Sequence, residues 1–451
     1  MKKITASLLI LLSATSFAKT SFLDSVERMK WGDLEVVWVE DDKFPKFTAS
    51  VYYENGGISD QIPGATQATL DQLTSGTKKQ NQKEIAEFFD FYGANIRNSV
   101  THEYSVLSVQ GLVKDIEPVV GKVCELLNDA QYPANELSSY ISRAKSNLNN
   151  LVTSHAALSD RVFRQMTLKE TPFSKPVEGT LESLEKLSPA LLKERLKELN
   201  KTKKVLYLAG PSGVKDIKDI LKSKCNWSNE IRLKPVELNK PSNESAIYLV
   251  PVPGANQAQI RIGRYMTSNE LQGKYDKFEF LANFMGGGFT SKLVQELRVK
   301  RGLTYSAGAY VSAQRDYARA GIMTFSKNET AAETVALIRA IFQDVSNPSK
   351  ITEQEFKHQQ GHLVGGYAFG FEETSSFLGR IMLYDHQNRK LSELEAFPEK
   401  ISRMTAAELS QANLEAFSWD RLTIVVVGDK SLEKGLSRIR PVKILDYRKF
   451  L

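Results

Sequence analysis

One pattern constrains this chain more than any other: its elements return in the same order after about 210 to 220 residues. Leu187-Ser188-Pro189-Ala190 starts an amphipathic helix that leads into the apolar run Lys204-Val205-Leu206-Tyr207-Leu208-Ala209-Gly210. Met404-Thr405-Ala406-Ala407 starts a second such helix, leading into Leu422-Thr423-Ile424-Val425-Val426-Val427-Gly428-Asp429. Upstream, Pro133-Ala134-Asn135-Glu136-Leu137 and Ile351-Thr352-Glu353-Gln354-Glu355-Phe356 both read as capped starts of long helices with an acidic first turn. Strand-type alternation precedes each, at 47–53 and 258–263. The expected fold is α+β, two tandem homologous domains, each an antiparallel sheet packed against helices. The polar stretch 234–245, with Pro235 and Pro241, reads as the linker between a domain at 19–233 and a domain at 246–451.

The first residues belong to neither domain. Met1-Lys2-Lys3 precedes a short apolar stretch from Ile4 to Leu12, and Ser16 and Ala18 stand at the −3 and −1 positions of a cleavage site. This pattern predicts a signal peptide at 1–18 and an exported protein, with a bacterial periplasm as the expected compartment. A membrane anchor left uncleaved is the alternative, although the apolar core falls short of the roughly 20 residues a spanning helix needs. No later segment reaches spanning hydropathy. The formal charge of +7 becomes +5 once Lys2 and Lys3 leave, and basic and acidic residues are interspersed, so nothing predicts a nucleic-acid surface. Of the two cysteines, Cys124 sits in a stretch with helical apolar spacing. That favours a buried free thiol, while an oxidising compartment would permit one bridge to Cys225.

The order Tyr52-Tyr53-Glu54-Asn55-Gly56-Gly57, then a short helix between Gly64 and Gly76-Thr77, resembles the opening of the pitrilysin-type (M16) zinc peptidases. In active members that helix carries His-x-x-Glu-His, which puts two imidazoles on one face and a general base beside the metal-bound water. Here the corresponding positions are Gln67, Leu70 and Asp71, so the resemblance implies a degenerate metal site. The family's third ligand is a Glu on the next long helix, and 137–158 contains no carboxylate. The expectation is no metal and no cofactor in this chain. Five histidines are present. His358 and His362 stand at i, i+4 on one helical face, but without an intervening Glu they read as packed or solvated. His102 lies in an alternating stretch and reads as structural; the remaining two are His155 and His386.

A second stretch matches the same family more specifically. Gly286-Gly287-Gly288-Phe289-Thr290-Ser291 precedes an apolar helix pattern at Leu293, Val294 and Leu297, Gly302 fits a C-cap, and Leu303 onward reads as the start of a strand. Arg298 and Tyr305 would then lie on a helix end and the following strand. The resemblance implies that Arg298 anchors the substrate backbone and that Tyr305 contacts the scissile carbonyl or its oxyanion. The glycine run lacks the residues of a phosphate loop. By resemblance Gly286, Gly287 and Gly288 border the substrate, with a turn at positive φ as the plain alternative.

Together these readings imply a noncatalytic, substrate-binding subunit of a heteromeric M16-type zinc endopeptidase acting on unfolded peptides. The partner, an M16 subunit with an intact motif, would bring zinc and base; a homodimer is the other assembly. The extended peptide would add a strand to a sheet edge, most plausibly in the partner's metal domain. The alternative is an M16-fold scaffold or peptide-binding protein without peptidase activity.

Overall fold

The computed structural model describes residues 21–238 and 246–451. The expected signal peptide at 1–18 lies outside the described residues, as does 239–245 of the expected linker. Two six-stranded sheets form the framework. The first contains β1 (Val26–Trp31), β2 (Leu34–Glu40), β3 (Lys46–Tyr53), β4 (Asn95–Val100), β5 (Ser105–Leu112) and β6 (Lys204–Gly210), in the order β1-β2-β6-β3-β5-β4. The second contains β7 (Ile247–Pro251), β8 (Gln257–Thr267), β9 (Ala307–Ala313), β10 (Tyr317–Lys327), β11 (Thr423–Gly428) and β12 (Val442–Ile444), in the order β12-β7-β11-β8-β10-β9.

Five strand positions repeat with their pairing sense. β6 lies antiparallel to β3 and parallel to β2, and β11 lies antiparallel to β8 and parallel to β7. The sheets are therefore mixed rather than wholly antiparallel. The reason is topological, because the strand that closes each half returns after long helical connections and enters beside the opening strand in its own direction. Only the outer sixth strand differs, β1 pairing antiparallel as a hairpin with β2 while β12 arrives from the chain's end parallel to β7.

Both closing strands are buried on both faces, which explains their continuous apolar runs. Leu206 and Leu208 of β6 enter the core beneath the first half's helices, while Val205, Tyr207 and Ala209 face the other way. That second face is covered from the other half: Phe377, Leu378 and Ile381 of the helix Thr374–His386 pack on it. Reciprocally, Leu158, Val162 and Phe163 of the helix His155–Thr167 pack on Tyr248, Val250, Val425 and Val427 of the second sheet. Each half thus lends one helix to the other. The hairpin tips also meet. Glu103, between β4 and β5, accepts the backbone N–H groups of Arg315 and Asp316, between β9 and β10, each at 2.9 Å.

The expected helix starts form, with one difference. Thr352 caps the helix Glu353–Gly366 by accepting the Glu355 N–H, but Pro133, at the corresponding position before Ala134–Asn150, makes no side-chain cap. The free-thiol reading of Cys124 is overturned. Cys124 is buried as its apolar spacing implies, but it is bonded to Cys225, with 4.7 Å between their Cα atoms. The helices Ile116–Asp129 and Ile217–Lys224 pack together and bring the pair into reach across 101 residues of sequence. No helix of the described residues is long and apolar enough to cross a membrane.

Candidate functional site

The helix that carries the degenerate motif is Ala65–Asp71, and it is fixed from below by a buried ion pair. Asp60 accepts from the Thr66 backbone at 3.0 Å, and Arg195, from the helix Pro189–Lys201, lies 3.2 Å from its carboxylate. Arg195 also donates to the Asn55 side chain and the Gly56 carbonyl, tying the Gly56-Gly57 turn to the same anchor. Burial outweighs these partners and pushes the Asp60 carboxyl above its ordinary range.

On this helix Leu70 turns into the core, 3% exposed. Gln67 and Asp71, one turn apart, share the outer face. Gln67 donates to Asp71 at 2.9 Å and Asn98 of β4 donates to the same oxygen at 3.0 Å. The Tyr140 hydroxyl, from the helix Ala134–Asn150, donates to the other oxygen at 3.2 Å. Burial, then the Asp71 charge, raise the Tyr140 phenol far above its usual range, so it keeps the proton it donates. The three degenerate positions therefore part: Gln67 and Asp71 join a polar network on the cleft wall and Leu70 leaves the site altogether. Zinc does not fit this arrangement. Gln67 is a weak ligand, Asp71 already accepts three donors, and no group of three His, Cys, Asp or Glu gathers around a point among the described residues.

The network opens into a cleft of about 810 Å³, walled by the helices Ala134–Asn150 and His155–Thr167. Tyr140, Arg143, Arg164 and Glu178 line it with Gln67 and Asp71. Strand β4 ends the first sheet and pairs with β5 alone among the described strands, so its outer backbone edge is free beside Asn98. Sequence reasoning missed Asn98, Tyr140 and the arginines. A cleft wall made by a helix whose other face packs on the opposite sheet leaves no local pattern.

The other expected site assembles as a stack. Arg298 lies over the Tyr305 ring at 4.2 Å and over Phe289 at 5.5 Å, and both rings are largely exposed, at 72% and 62%. The helix under Arg298 is of the wide π type over Val294–Val299, a form common at functional sites. Gly302 follows at φ +62°, as its C-cap reading requires. Tyr305 is not in a strand. The Thr304 hydroxyl accepts the Ser306 N–H at 3.1 Å, a local turn that delays β9 until Ala307 and leaves the Tyr305 ring standing out. Among the described residues, no hydrogen bond, ion pair or ring contact joins this stack to Gln67 or Asp71.

The glycine run is not a positive-φ turn, since none of Gly286, Gly287 and Gly288 adopts one. A side chain on Gly286 would place its Cβ 2.1 Å from the Ala309 nitrogen of β9, whereas on Gly288 it would meet only His362, at 4.0 Å. Gly286→Ala is expected to cost about 1–3 kcal/mol by displacing backbone, and Gly288→Ala to stay within about 0.5 kcal/mol. Urea denaturation of the two variants checks this ordering. His358 bonds Thr290 at 3.1 Å, so both helix histidines lie beside this run. His102 is structural, bonded to the Lys175 carbonyl at 2.9 Å, but in a turn rather than a strand.

Comparison with known proteins places this architecture. Residues 190–363 match the family model described as Peptidase M16 inactive domain. The chain is similar to the non-peptidase homolog YmxG of Helicobacter pylori, 21% identical over 412 residues covering 88% of this chain and 93% of that one. It is 22% identical to the uncharacterized zinc protease YmxG of Bacillus subtilis over 78% of this chain and 85% of the other. A peptidase M16 inactive domain from Pseudomonas fluorescens shares its fold with a TM-score of 0.80 at 19% identity, covering 90% of this chain and 98% of that one. A Helicobacter pylori protease does so at 0.76 and 15%, covering 89% and 99%.

Proposed function

We propose that this chain, whose residues 190–363 match the model of the M16 inactive domain, is a noncatalytic, peptide-gripping subunit whose partner chain carries the intact zinc motif. The observation that carries this reading is a contrast between two clusters. Asp71 is hydrogen-bonded by Gln67, Asn98 and Tyr140, while Arg298 is held against the exposed Tyr305 ring. No hydrolytic step is assigned to this chain alone.

In the assembled pair, an extended peptide adds to a free sheet edge, such as the one β4 presents beside the cleft. Arg298 hydrogen-bonds the peptide backbone, and the Tyr305 hydroxyl donates to the scissile carbonyl oxygen as negative charge develops there. Pre-stacking on Phe289 and Tyr305 limits the rotamer entropy Arg298 loses on binding. The Cys124–Cys225 bridge supports an exported, periplasmic location, since such bridges persist in oxidising compartments.

The test is to mix the chain with an M16 subunit bearing His-x-x-Glu-His and follow peptide cleavage. Cleavage appears only in the mixture, and Tyr305→Phe lowers turnover by about 100-fold or more with assembly intact, the size expected for one oxyanion donor. The competing scaffold reading draws on the same stack, because Arg298 is held without any peptide. Under it Tyr305→Phe changes neither assembly nor any turnover, and that result overturns the proposal.

A further inference from the structure

The cleft's charges do not balance, and the imbalance specifies what it binds. Arg143, Arg161, Arg164, Asp71, Asp160 and Glu178 are the charged side chains that line it. Asp160 is taken by Arg261 from β8. Glu178 faces both Arg161 and Arg164, at 2.5 Å and 3.5 Å, and cannot neutralise two guanidinium groups. Burial opposes its ionisation, but the charges of Arg164 and Arg161 outweigh that and hold the Glu178 carboxyl below its ordinary range. Among the described residues Asp71 has no ion-pair partner and accepts from the three neutral donors already described.

The two walls differ in what they leave over. Arg161 is buried and spends its remaining donors on the carbonyls of Gly179 and Phe450. Arg164 makes one long bond only, and Arg143 makes no hydrogen bond or ion pair to any described residue. Four guanidinium groups, counting Arg261, thus meet three carboxylates, and the unused donors belong to Arg143 and Arg164 on facing helices. A guanidinium fork with free donors in a partly enclosed site selects carboxylate by geometry as well as charge.

Resting on the peptide-gripping reading, we propose that this cleft selects peptides through a carboxylate, held by Arg143 and Arg164. The carboxylate comes from an acidic side chain or from the peptide's own C-terminus. The experiment uses the full chain and four fluorescein-labelled peptides of one sequence, with Glu or Gln at the centre and an acid or amide terminus, read by anisotropy. The expected result is at least about tenfold tighter binding for a carboxylate-bearing peptide than for the Gln amide, a difference of about 1.4 kcal/mol. That preference shrinks as salt rises. The centre and terminus arms tell the two sources apart. Arg143→Gln and Arg164→Gln each lose the preference while thermal stability stays unchanged. Equal binding of all four peptides, or a preference that survives in the double variant, overturns this inference alone. No binding by any of the four overturns the peptide-gripping reading and this inference with it.

Discussion

Replacing Glu103 by Ala is expected to lower stability by about 3 kcal/mol, because it removes a buried carboxylate that accepts several hydrogen bonds. Glu103 and His386 are each about 1% exposed at the side chain, and their carboxylate and Nε2 lie 2.7 Å apart. The same carboxylate accepts from the backbone of Arg315 and Asp316. The Tyr52 hydroxyl lies 2.8 Å from His386 Nδ1, and burial, then the Glu54 charge, raise its pKa so far that it keeps its proton. The two ring nitrogens of His386 are thus held by Tyr52 and Glu103, and the Arg315 N–H also approaches Nε2, at 3.3 Å. Alanine would take the acceptor from the Asp316 N–H, weaken that of the Arg315 N–H and remove the partner of His386 Nε2 where water has little access, a lost buried partner costing about 1–3 kcal/mol before relaxation. Glu103→Gln keeps one of the two acceptor oxygens and should cost less. Because this junction ties the β4–β5 tip to the second half, urea unfolding should lose cooperativity as well as midpoint. A loss below about 1 kcal/mol would mean the hairpin tips are held by other contacts.

Opening the Cys124–Cys225 bridge is expected to have a comparable effect. It closes a loop spanning 101 residues, and the chain-entropy account gives about 4–5 kcal/mol for a loop of that length. Urea midpoints with and without reductant, and for Cys124→Ala with Cys225→Ala, should agree with each other and fall well below the oxidised protein. The bridge lies between two helices on the edge of the first half's core, so the Arg298–Tyr305 stack should be untouched. An unchanged midpoint would show that helix packing alone holds this region.

What the sequence revealed, and what it hid, follows from how local each signal is. The closing strands β6 and β11 were legible because strands buried on both faces become unbroken apolar runs. Helix starts at Ser188, Thr352 and Thr405 were legible because a cap is a chemical requirement of the first turn. The exchange of the helices His155–Thr167 and Thr374–His386 was not, since amphipathic spacing says which face is buried and not against what. Two strand expectations failed for one reason. At Thr101 and at Thr304 the hydroxyl accepts N–H groups a few residues on, and that local turn wins over the apolar alternation that places His102 and Tyr305 in strands. The pairing of Cys124 with Cys225 depends on tertiary packing of two helices that no spacing rule encodes.

The candidate site divides in the same way. Loss of ligands at Gln67, Leu70 and Asp71 is a statement about side-chain chemistry and could be read directly. That Asp71 would be hydrogen-bonded by Asn98 and Tyr140, from a strand and a separate helix, needed the fold. The sequence placed Arg298 on a helix end, but it gave no sign of the stacking on Tyr305, the π-type helix or the Phe289 ring that completes the stack.

The most direct test of the central claim is the zinc content of the purified chain after equilibration with excess zinc and exhaustive dialysis, measured by atomic emission against protein concentration. The account predicts no stoichiometric zinc, because the face that would hold it offers the weak ligand Gln67 and a single carboxylate, Asp71, already hydrogen-bonded by Gln67, Asn98 and Tyr140. One tightly held zinc per chain, lost in Asp71→Ala, would contradict it.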